Sequence, residues 1–339
     1  MVEYCQLERI LEEMLNKENK KELLADYETA RSFLFQNIYP EIKSKLPEYT
    51  YHDGNHVINV LNNVHTLLDK HMEKISSEVL YFLCLSTLFH DAGLIFGREN
   101  HQKNISDIYT RIRGSNNLQK FANEKLIITK IVGAHTGHAP DDTNDTINYL
   151  GDNMGYNEMI NTREIAAIIK FADELAEGGQ RTSDYFIENN IYKKNSKIFH
   201  KYSQAYQSVI SPKDNRLAIT YNIILKLNDS NDLIIDQDIG LKTFLDFIYE
   251  RLIKIDDERK YCRYYCPWLE SMKEISVIFN FWYKDERIES GLSPIVFSDK
   301  IIPGETNRIF EKSFPDYTYS KIIEILKNQI NNESPEVLL

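Results

Sequence analysis

The chain has 339 residues, of which 42% are hydrophobic and 27% charged, and its net charge is −11. That is the profile of a soluble globular protein of one or two domains, and the acidic balance counts against binding extended nucleic acid, which needs a basic face. The longest apolar runs, such as Val79 to Leu88, are too short and too interrupted to cross a bilayer, and the N-terminus, Met-Val-Glu-Tyr-Cys-Gln-Leu-Glu, lacks the basic start and apolar core of a signal peptide, so the chain reads as cytoplasmic with no membrane partner.

In chain order, residues 1 to about 48 read as helical. Ile10, Leu11 and Met14, then Leu23 and Leu24, then Phe33, Leu34 and Ile38 recur at helical intervals, with Pro40 and Pro47 punctuating the end. Residues 53 to 70 predict a helix with an apolar stripe (Val57, Val60, Leu61, Val64, Leu67, Leu68) and Asp53 as its cap. Residues 77 to 91 predict a helix apolar on most sides, ended by Gly93 and Gly97. Helical patterns continue over 102–113 and 117–134, followed by a loop from Gly133 to Asp145. Residues Thr162 to Ala176 form the next helix, with Ile165, Ile168, Ile169 and Ala172 on one face and Thr162 as the expected cap.

The pattern changes after about residue 180. Leu217 to Leu227 reads as a strand, 229–232 as a turn, and Leu233 to Ile235 as a returning strand. Leu241 to Ile255 is an amphipathic helix, and Ile275 to Tyr283 a strand whose aromatic run, Phe279 to Tyr283, reads more readily as core than as a partner surface. Asn331 to Leu339 reads as a loose tail. The expected organisation is mainly α: a helical domain over 1–200, with helices 1–48 packed on it, and a smaller α+β region over 201–339. Four cysteines at 5, 84, 262 and 266 read as reduced thiols, since Cys262 and Cys266 lack the further nearby ligands a zinc site needs.

The chemistry concentrates in the histidines. Of nine, eight fall between His52 and His138, and only His200 lies outside. His90 and Asp91 are adjacent at the end of the apolar helix and offer two ligand types from one backbone position. Asp173 ends the apolar stripe of its own helix, where an acid is costly to bury unless paired or bound to metal. His56 opens another helix, with His52 four residues earlier. These segments point to a metal site built from several helix ends.

With those residues in hand, the chain resembles the HD superfamily of metal-dependent phosphohydrolases. The resemblance rests on Tyr51-His52-Asp53-Gly54-Asn55-His56, on Leu88-Phe89-His90-Asp91-Ala92-Gly93, and on Phe171-Ala172-Asp173-Glu174-Leu175, and covers residues 30 to 185. It implies an HD-type helical bundle in which His56, His90, Asp91 and Asp173 hold one divalent metal. The α+β C-terminal region resembles, by architecture, a bacterial subgroup thought to act in conflict or stress systems. In two-metal members a histidine follows the doublet and another precedes the last acid's helix. His101 and His135 stand at those places, so Asp91, with two oxygens, would bridge two ions, and Asp91, His101 and His135 become the expected catalytic set. The ion, one or two, would be manganese, iron, cobalt, nickel, zinc or magnesium rather than calcium.

The expected activity is hydrolysis of a phosphoester or phosphodiester of a nucleotide-type substrate by metal-activated water. Arg181, His138 and His52 are the candidates for substrate binding, with Arg181 able to hold phosphate through two nitrogens. Arg98 and Lys170 read as solvated surface charges. The alternatives are an HD domain that senses a nucleotide and signals to a partner protein, and a single-strand nuclease. The C-terminal region is the expected surface for a partner protein or a second copy.

Overall fold

The helices of the N-terminal half follow from caps and apolar stripes. In the computed structural model, which describes residues 3–99, 101–117, 119–135, 137–151, 153–299 and 310–333, they are α1 (Gln6–Lys17), α2 (Lys21–Phe33), α3 (Tyr39–Lys45), α4 (Gly54–Leu68), α5 (Ser77–Phe89), α6 (Ile105–Arg113), α7 (Ala122–Gly133) and α8 (Thr162–Glu174). Asp53 caps α4, its Oδ1 accepting from the backbone N–H of Asn55 (3.0 Å) and His56 (3.3 Å), which satisfies two donors the helix itself leaves open. At α8 the cap is Asn161 rather than the expected Thr162: its side chain accepts from Arg163 N–H and Glu164 N–H, while the Thr162 hydroxyl donates to Gly151 O (2.7 Å). Pro40 does not end the first helical part. It sits in the first turn of α3, where its missing N–H costs nothing. A hairpin too short for an alternation pattern, β1 (Asn153–Gly155) and β2 (Met159–Asn161), precedes α8.

α5 is apolar all round because it is enclosed all round: Leu80 to Leu85, Leu88 and Phe89 are fully buried. The apolar stretch is longer than the Val79–Leu88 run suggests. Ser77–Phe96 has the length and hydropathy of a membrane span, but 83% of it is buried inside the fold, as in the core helix of a protein with no lipid contact there.

The second half holds α9 (Asp184–Glu188), α10 (Lys194–Ala205), β3 (Tyr206–Ser211), β4 (Arg216–Leu227), β5 (Leu233–Asp236), β6 (Ile239–Gly240), α11 (Leu241–Tyr265), β7 (Glu274–Tyr283), β8 (Glu286–Ile288), β9 (Ile295–Phe297), α12 (Phe310–Ser313) and α13 (Tyr319–Glu333). The sheet runs β6-β5-β4-β7-β8, with β3 also paired to β4 and β9 to β7. β4 and β7 are parallel, with Arg216 opposite Glu274 and Leu225 opposite Tyr283. A parallel pair needs a long crossover, and α11 supplies most of it, running ten residues past the expected end at Ile255. Alternation places Leu217, Ile219, Tyr221, Ile223 and Leu225 of β4, and Ile275, Val277, Phe279 and Phe281 of β7, on the buried face. The aromatic run is therefore core at Phe279 and Phe281. Of the expected tail, 331–333 belong to α13, and 334–339 lie outside the described residues.

The chain divides into two compact units, 1–176 with 261–270, and 177–260 with 271–339. The boundary lies earlier than the expected residue 200, because α10 and the turn at Gly179–Arg181 pack together and α10 packs on β4, all within the second unit. The first unit is also discontinuous, a feature that local periodicity cannot report. All four cysteines are free thiols, and Cys84, Cys262 and Cys266 are buried.

Candidate metal centre

Four side chains from three helix ends of the first unit converge on one point. His56 enters from the first turn of α4, His90 and Asp91 from the end of α5, and Asp173 from the last turn of α8. His56 Nε2 lies 3.4 Å from His90 Nε2, 3.1 Å from Asp173 Oδ1 and 3.5 Å from Asp91 Oδ2. His90 Nε2 lies 3.3 Å from Asp91 Oδ2 and 3.7 Å from Asp173 Oδ1. Donors held about 2.0–2.2 Å from one ion at right or tetrahedral angles stand roughly 2.8–3.6 Å apart, a range that all these spacings meet except His90–Asp173, which is 3.7 Å.

A second group shares Asp91. Its other oxygen, Oδ1, lies 3.5 Å from His101 Nε2 and 3.6 Å from His135 Nε2. The two donor groups are thus His56, His90, Asp91 and Asp173, and Asp91, His101 and His135. Among the described residues, His101 Nε2 is buried with no hydrogen-bond partner, which suits a nitrogen kept for a metal. Imidazoles are neutral when they ligate a metal, so with two carboxylates they would form a borderline-soft donor set of net charge −2, suited to divalent transition ions.

The rings are aimed by a repeated device. The Nδ1–H of His90 donates to Thr87 O (2.7 Å), that of His101 to Arg98 O (3.0 Å), and that of His135 to Val132 O (2.6 Å). Each acceptor lies three residues earlier, so a local contact to the i−3 carbonyl fixes the tautomer and turns Nε2 toward the centre. Carbonyls carry no residue-type signal, and the i−3 spacing is the only trace of this device in the sequence. The Tyr39 hydroxyl also donates to Leu88 O, holding the end of α5, and Asn63 Nδ2 donates to Ala172 O (3.0 Å), tying α4 to α8.

Gly93 does more than end a helix. A Cβ at this position would stand 1.9 Å from His101 O, so only glycine lets the His101 segment close against the doublet. Lys170, expected as a solvated charge, instead donates from Nζ to His135 O (3.0 Å).

The site's electrostatics favour a cation. Burial alone would raise the Asp91 carboxyl, but the charge of His90 and the imidazoles of His101, His135 and His56 facing its oxygens hold it well below the usual carboxylate range. Asp173 is likewise subject to burial, yet His56 and His90 hold its pKa well below that range. Burial opposes protonation of His90, and the Asp91 and Asp173 carboxylates overcome it, raising His90 well above the usual histidine value. Both acids therefore stay ionised. Asp173 is the most open donor, with its side chain 29% accessible.

The remaining candidates are not among these donors. The His52 ring packs edge-on against His56, with centroids 5.4 Å apart, and its Nδ1–H donates to Thr50 O (2.6 Å). His138 is exposed in the loop after His135. Arg181 belongs to the second unit, where it is buried with its guanidinium 3.6 Å from the Glu177 carboxylate.

No curated protein and no solved structure matched the chain significantly. The HD-CE family model matches residues 46–254, more than half of the chain, and this stretch contains all six donors. The convergent histidines and acids and the extent of that match place this protein in the HD-CE family of HD domains, with the donor set of a metal-dependent hydrolase.

Proposed function

We propose that this protein hydrolyses a phosphoester or phosphodiester bond of a nucleotide-type substrate. The carrying observation is the divided carboxylate of Asp91, one oxygen turned to His56 and His90, the other to His101 and His135. When bound, a divalent ion supplies Lewis acidity toward a phosphoryl oxygen and acidifies water to a nucleophile near neutral pH. The chain's part is to hold and orient. His56, His90 and Asp173 with one Asp91 oxygen form the first position, and His101 and His135 with the other oxygen form the second. The i−3 carbonyls keep the imidazoles in the metal-binding tautomer, and ionised Asp91 and Asp173 supply the charge that offsets the cations. His52, beside His56, and His138, in the loop after His135, are assigned to the substrate side.

The test is metal analysis of protein purified without chelator, with turnover of bis-p-nitrophenyl phosphate and a nucleotide panel. Bound divalent metal with hydrolysis supports the reading. Nucleotide binding at full metal occupancy without turnover would make the protein a sensor instead, and absence of both metal and turnover with every divalent ion would refute a hydrolase.

A further inference from the structure

Two segments of the first unit border the centre without donating to it. One precedes α4 and carries Tyr49, Tyr51 and His52; the other follows the doublet and carries Phe96 and Arg98. Each is tied to a different donor. The His52 ring packs on His56, and the Arg98 carbonyl accepts from His101 Nδ1–H. The segments meet where the Arg98 guanidinium lies over the Tyr49 ring, 5.0 Å from its centroid. They are joined again by Lys45, whose Nζ donates to Ile95 O (3.0 Å). Lys43 sits 3.7 Å over the Tyr51 ring and 3.5 Å from Asp53.

This border combines cations with open aromatic faces. Tyr49 is 38% and Phe96 61% exposed. Arg98 is exposed and pairs with no carboxylate among the described residues, although the chain carries a net charge of −11. Its donor fork matches a phosphate, and guanidinium and phenol faces are the surfaces on which a nucleobase stacks. A brace between two loops would need only the Arg98–Tyr49 contact. It would not need that contact to stand between a segment packed on one donor group and a segment fixing the other.

We propose that Arg98 and Tyr49 form the substrate-recognition rim of the centre. Arg98 takes a phosphate oxygen and Tyr49 the face of a base, so the substrate class is a phosphodiester or phosphoester bearing a nucleobase rather than a simple phosphate ester. This rests on the hydrolase reading above.

The test compares thymidine 5′-(p-nitrophenyl phosphate) with base-free methyl p-nitrophenyl phosphate on manganese-loaded full-length protein. For Arg98→Ala, KM for both esters rises about tenfold while kcat changes less. For Tyr49→Ala, the kcat/KM preference for the nucleotide ester falls about tenfold, and Tyr49→Phe restores it. A loop brace would lower the melting temperature without moving that preference. If the wild type cleaves both esters and the variants keep its KM values and preference, the rim is refuted and the hydrolase reading survives. If the wild type cleaves neither, the hydrolase reading fails, and calorimetric titration with thymidine 5′-monophosphate decides the rim. Binding weakened about tenfold by both alanine variants supports it, and no binding or equal binding overturns it.

Discussion

Asp91 turns its Oδ1 to His101 Nε2 at 3.5 Å, while its Oδ2 serves the His56–His90 pair. One side chain thereby belongs to two donor groups, and the groups can be separated by mutation. His101→Ala should leave the four-donor group intact and halve the metal content, with activity reduced about 10²–10³-fold, the scale of losing a preorganised electrostatic group. His90→Ala should remove metal from the four-donor group and reduce activity at least as far. Elemental analysis and turnover, with circular dichroism to confirm retained helix, check both. A full metal complement in His101→Ala would show that the second group holds no ion.

Gly93 offers a test at a residue that touches no substrate. The Cβ of Gly93→Ala would collide with His101 O at 1.9 Å, and backbone cannot yield as a flexible side chain does. We expect a loss of about 1–3 kcal/mol in unfolding free energy, with weaker metal binding at the His101–His135 group. Unchanged stability and metal content in denaturant titration and elemental analysis would refute the close-packing argument.

Chelation should destabilise the fold, because the donors come from α4, α5, α8 and the segments after α5 and α7. A ligand that binds only the folded state adds about 2.7 kcal/mol when present at a hundred times its Kd. The melting temperature should therefore fall on dialysis against chelator and rise with added metal in a concentration-dependent way. A melting temperature independent of metal concentration would contradict the proposed centre.

The alkaline limb of stability should contain a contribution from Cys5. Burial first, then the nearby Glu8 carboxylate, push its thiol up from 9.0 to about 11. Between these values the folded protein keeps a proton that the unfolded chain has released, so stability falls as pH rises through this window and levels off above it. Cys5→Ser should show a shallower loss between pH 9 and 11 in denaturant titrations. Ultraviolet thiolate absorption should place the native Cys5 transition near the upper end.

The sequence made the ends of α4, α5 and α8 legible because each donor sits at a helix end marked by an apolar stripe, and Asp53 signals its cap openly. The cap of α8 was read one residue late, since Asn161 and Thr162 are both capping types and only the fold shows that Thr162 is occupied with Gly151. Lys170 reads as a surface charge because its acceptor is a carbonyl distant in sequence, whereas Arg98 is exposed as its surface-charge reading expects. β3 went unseen because its sequence, YQSVIS, gains its role only by pairing with β4. The alternation of β4 and β7 was legible, since a one-sided sheet imposes period two on the residues themselves.

The return of residues 261–270 to the first unit joins distant parts of the polypeptide there. The hydroxyls of Tyr261 and Tyr265 both donate to Asp145 Oδ1 at 3.0 Å, in the loop that follows His135. A shortened gene product ending at Ala176 would lack both anchors and leave the Asp145 carboxylate without these two donors. Inheritance of the centre by end-to-end gene fusion would therefore have to carry the intervening 177–260 along with it.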